Sequence, residues 1–166
     1  MSVQNVIDVL HHTDEIYRKV IELGKEKQQA IMDNDVALLT KLMNQEARLL
    51  KQTEELDELR EQAAQQFLQE KGIRSQLKLT ITEMTRLVFD VTEKQQLLAA
   101  QGQLSNTLRE LKRLNGINKE LVEQSLTFID YSINLFVSEP EDEMMYRDPS
   151  KQHVAQKPRS FFDTKA

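Results

Sequence analysis

The chain has 166 residues and a mass of 19.3 kDa, with 22 Lys and Arg against 27 Asp and Glu, for a net charge of −5. Apolar residues make up 39% and charged residues 30%, with four glycines, three prolines and neither Cys nor Trp. These figures exclude disulfides and thiolate chemistry, argue against a turn-rich β fold, and leave no clustered Lys and Arg of the kind that nucleic acid requires.

From Val3, apolar residues recur at Val6, Ile7, Leu10, Tyr17, Val20 and Ile31, with Ile16 and Leu23 beside them. This spacing predicts a first long helix, ended by the turn-forming Asp33-Asn34-Asp35, with Asp35 as N-cap of the next. The second stripe, Leu38, Leu39, Leu42, Leu49, Leu56, Leu59, Ala63 and Phe67, is widened by Met43, Ala47 and Leu50 and stops at Gly72, suited to a left-handed C-terminal cap. A helix over 35–71 is about 55 Å long and cannot bury its stripe alone, so an antiparallel hairpin with the first is expected.

Thr80 and Glu83 have capping-box spacing ahead of Met84, Leu87 and Val88, which predicts a short helix at 81–89. Asp90 and Glu93 repeat that spacing and open the longest pattern, from about Val91 to Val137, roughly 70 Å of proline-free helix. Its first half carries a narrow stripe of Leu97, Leu104, Leu108 and Leu111. After Leu121, apolar residues reach nearly every face, and a helix apolar all round must be covered all round. Two covers are open: the short helix or the first helix, or another protein seated on the final two to three turns.

Beyond Ser138 the three prolines mix with charged residues, a composition that predicts a disordered tail over 138–166. The expected fold is all-α: an antiparallel bundle of three long helices with a short connecting helix over 1–137, followed by that tail.

No catalytic constellation is visible. His11, His12 and His153 do not follow Glu at metal-ligand spacing, and no phosphate loop or nucleophile elbow is present. Glu54, Glu55, Asp57, Glu58 and Glu61 read as a solvated helix face. The longest apolar run, 97–100, is far short of the roughly 20 residues that span a bilayer, and the N-terminus lacks a secretory pattern, so a cytoplasmic address is expected. No enzyme activity, metal, cofactor, nucleic acid or stable membrane insertion is expected. Asn115 and Asn118, three residues apart beside Gly116, can fix register or ease a kink, or can simply be exposed.

The run LKRLNGINKELVEQSL, Leu111 to Leu126, resembles the C-terminal signature of FlgN-like flagellar export chaperones, and DNDVALLTKLMNQEARLL, Asp33 to Leu50, resembles the turn-and-helix stretch of the same family. The resemblance implies a chaperone that holds the C-terminal helical segments of the hook–filament junction proteins FlgK and FlgL and then engages the cytoplasmic domain of the export gate protein FlhA. Carried onto this chain, the client surface would be Leu121, Val122, Leu126, Phe128, Ile129 and Ile133. The gate-docking residue would be Tyr146, in EPEDEMMY; Tyr131 is the competing candidate, but it lies within the helix and is expected to pack. The rival reading is a structural adaptor that forms a homodimer or larger oligomer through its last helix, although polar residues along the seam interrupt its heptads.

Overall fold

The structure is a computed structural model and describes residues 2–74 and 78–137. Four helices follow in order: α1, Ser2–Met32; α2, Val36–Glu70; α3, Ile81–Leu87; and α4, Val91–Val137. No strand occurs among the described residues. The chain groups into two compact units, Met1–Phe128 and Ile129–Ala166. The expected tail and Tyr146 lie outside the described residues, and the expected boundary at 137/138 falls where description ends.

The helix ends follow local chemistry. Asn34 takes a left-handed φ of 55°, and the Asp35 carboxylate accepts the Leu38 N–H at 2.9 Å, capping α2. At the far end of α2, Gly72 adopts φ 72° and donates to the Gln69 carbonyl, while the Ile73 N–H reaches the Leu68 carbonyl at 2.9 Å. That pair of bonds is a Schellman closure, which requires a residue tolerant of positive φ at Gly72. Thr80 and Glu83 form a reciprocal capping box on α3, and the Asp90 carboxylate accepts the Glu93 N–H at 2.8 Å to start α4. The short helix ends at Leu87, two residues earlier than the periodicity predicts, because Val88 is already extended.

Helices α1 and α2 form the expected antiparallel hairpin, tied by a Lys27–Glu46 ion pair of 2.7 Å that is largely buried. Helix α4 runs parallel to α1. Residues 14 and 24 of α1 meet 107 and 118 of α4, a nearly constant offset, so the end of α1 is level with about residue 126.

One apolar cluster joins Val3, Val6, Ile7 and Leu10 of α1 to Ala63, Ala64 and Phe67 of α2, Met84 of α3, and Leu97 and Ala100 of α4. A second joins Val20 and Ile21 to Leu111 and Leu114, with Tyr17 and Leu49 against it. Of α3, the buried Met84 packs at the start of α4, beside Leu97.

Candidate functional site

Between the two apolar clusters lies a polar layer that the apolar periodicity passes over. Asp14 is 2% exposed and accepts hydrogen bonds from the Thr107 hydroxyl, from Gln103 Nε2 at 2.8 Å and from Arg18 Nε at 2.8 Å. Burial works to raise the Asp14 carboxyl. The bonds from Thr107, Gln103 and Arg18, with the Arg18 charge, outweigh it and hold the group below the ordinary carboxylate range. Because two of the three donors stand on α4, this carboxylate sets the register of α4 against α1.

A second register lock lies further along. Asn118 is buried and donates from Nδ2 to the Gly24 carbonyl at 2.8 Å, while its Oδ1 is buried with no hydrogen-bond partner. The backbones approach closely here: a Cβ on Gly24 would stand 2.7 Å from Leu114 Cδ2. Of the three residues expected to govern register or bending, only Asn118 enters the seam. Asn115 and Gly116 are exposed, and the helix runs through them without interruption.

Beyond Asn118 the bundle opens. An exposed groove of about 590 Å³ has Ile31 on its α1 side, Leu39, Met43 and Leu50 on α2, and Val122 on α4. Its rim carries two balanced ion pairs, Lys27–Glu46 and Lys119–Glu123. The second stripe of the sequence reads these α2 residues as core, yet Leu42 alone is buried in that half of α2, with Leu39 and Leu49 half-buried and Leu38, Met43 and Leu50 exposed. Periodicity finds the apolar face but not the missing neighbour that would cover it.

Of the residues assigned to a client surface, Leu121 and Val122 are half-buried, and Leu126 and Phe128 are 56% and 70% exposed. In the second unit, whose described part is the last nine residues of α4, Ile129 and Ile133 are exposed, as are Leu135, Phe136 and Val137. Tyr131, expected to pack, is exposed as well, a correction: a helical position does not bury a tyrosine unless another surface meets its face. Such large apolar side chains on one helix end are what an interaction surface presents. Among the described residues no cluster of three or more His, Asp or Glu side chains could hold a metal, and no helix is long and apolar enough to cross a membrane.

The family model described as FlgN protein matches residues 1–153, almost the whole chain. No curated protein and no solved structure matches. The chain belongs to the FlgN family of flagellar chaperones.

Proposed function

We propose that this protein is a flagellar export chaperone whose clients are the hook–filament junction proteins FlgK and FlgL. The C-terminal helical segments of the clients dock on the end of α4, on Leu121, Val122, Leu126, Phe128, Ile129 and Ile133. The observation that carries this reading is the exposure of large apolar side chains there, in a chain of the FlgN family. Residues 1–137 act as the chaperone domain, in the cytoplasm, and residues 138–166 act as a tail that presents Tyr146 to the cytoplasmic domain of FlhA.

The mechanism needs packing rather than bond chemistry. A client's amphipathic terminal helix self-associates when left free, and the chaperone supplies the missing apolar face. Ordering the client segment consumes part of the interaction energy, which keeps affinity moderate. Release then requires only that the gate complex compete better.

Size-exclusion chromatography with light scattering on the full chain, alone and with the purified C-terminal segments of FlgK and FlgL, tests this. A stoichiometric complex is the expected result. A stable dimer that ignores both segments would replace the chaperone reading with that of a self-associating adaptor. Tyr146→Ala is expected to leave the client complex intact and to weaken capture by the FlhA cytoplasmic domain; unaltered capture would remove Tyr146 from the mechanism.

A further inference from the structure

We propose that a second docking surface lies on α1, α3 and the middle of α4, and that its occupant is an amphipathic helix of a partner protein carrying carboxylates along one flank. The surface shares no residue with the client surface proposed above.

The floor is apolar. Leu10 of α1, Ile81 of α3, and Leu104 and Leu108 of α4 line a shallow groove of about 350 Å³, and Leu108 is 40% exposed although it falls among the leucines of the α4 stripe. Along one edge, Gln101, Ser105, Arg109 and Lys112 follow one another at helical spacing. That edge is about 17 Å long, three turns of helix, which suits a helical segment lying alongside rather than a single small anion.

The edge is also electrostatically unbalanced. Arg109 donates to the Asn106 side-chain oxygen at 3.1 Å and to the Ser105 hydroxyl at 3.5 Å, both neutral. Neither Arg109 nor Lys112 forms an ion pair with a carboxylate among the described residues, whereas Arg113, on the neighbouring face, holds Glu110 through two bonds of 2.9 and 2.7 Å. Arg18, Lys27, Arg60 and Lys78 are likewise paired. Arg109 and Lys112 thus place two cations without a carboxylate partner, among the described residues, directly along an apolar floor. Their complement is a helix with apolar residues at i, i+3 or i+4, and i+7, flanked on one side by Asp or Glu.

The test uses the full chain and two synthetic amphipathic helical peptides, leucine-faced and identical except for Glu or Lys along one flank, with binding read by fluorescence anisotropy and amide shifts by NMR. The Glu-flanked peptide is expected to bind roughly tenfold tighter at low salt, the gap narrowing as salt rises. Its shifts should centre on Leu10, Ile81, Leu104 and Leu108. The charge reversal Arg109→Glu with Lys112→Glu, at two exposed positions and with helicity checked by circular dichroism, is expected to invert the preference. Equal binding of the two peptides, binding by neither, shifts confined to other residues, or displacement by equimolar oleate, which would assign the groove to a lipid anion, would each overturn the proposal.

Discussion

From Leu97 to Asn118 the residues of α4 that recur every three or four positions are buried or half-buried: Leu97, Ala100, Leu104, Thr107, Leu111, Leu114 and Asn118. From Leu126 to Val137 the same helix carries a denser set of large apolar side chains, and Leu126, Phe128, Ile129, Tyr131, Ile133, Leu135, Phe136 and Val137 are all exposed. The less hydrophobic stretch is the buried one. Burial follows the presence of opposing side chains from α1, α2 and α3, and the seam even accepts Thr107 and Asn118 because each finds a polar partner across it. A surface apolar in composition but lacking neighbours is the more informative half for function.

The comparison breaks most visibly at the exposed end. Leu126→Asp with Ile133→Asp should remove client binding, on the order of a thousandfold in Kd if both side chains are central anchors, while helicity and unfolding midpoint stay as they were. Isothermal titration with the client segment, alongside urea unfolding, checks both halves; retained affinity would move the client surface elsewhere.

A single truncation placed in each stretch sharpens the contrast. Leu97→Ala, at a position with 0% exposure, should cost about 3 kcal/mol in urea unfolding, whereas Leu126→Ala should stay within about 0.5 kcal/mol.

Asp14→Ala should cost about 2 kcal/mol, because it leaves Thr107 and Gln103 without their acceptor inside the seam. This carboxyl is held below its ordinary range when folded, so its stabilising contribution is present above the unfolded value near 4 and fades as pH falls through the folded value. Urea midpoints measured from pH 6 downward should fall less steeply for Asp14→Ala than for the parent; parallel curves would show that other carboxylates dominate the acid limb.

Of the seam substitutions, the smallest effect is expected at Asn118→Ala. It forfeits the bond to the Gly24 carbonyl, yet it also removes a buried oxygen that lacks a donor, so the net cost should be about 1 kcal/mol. A loss several times larger would mean that the bond holds α4 against α1 more firmly than its two ends suggest.

Helix identity, caps and order were legible from residues close together in the chain. Asp35, Gly72, Thr80 with Glu83, and Asp90 act on backbone groups within a few positions, so their signals are local and survive without the fold. Asp14 was legible in principle, because it fills the gap between Leu10 and Tyr17 on the apolar face, whereas Thr107 was not, since the leucine stripe reads Leu108 at that turn and the structure leaves Leu108 40% exposed. The gap at Asp14 does not reveal its partner, because the bond joins residues 93 positions apart. Which apolar faces stay open was not legible. Leu42 and Met43 are adjacent and of similar hydrophobicity, yet one is 2% and the other 53% exposed, because burial belongs to the pair of surfaces that meet. Chain-local chemistry thus set where the helices start and stop, while long-range packing alone decided which stripes became core, which polar residues locked the register, and which surfaces stayed available to partners.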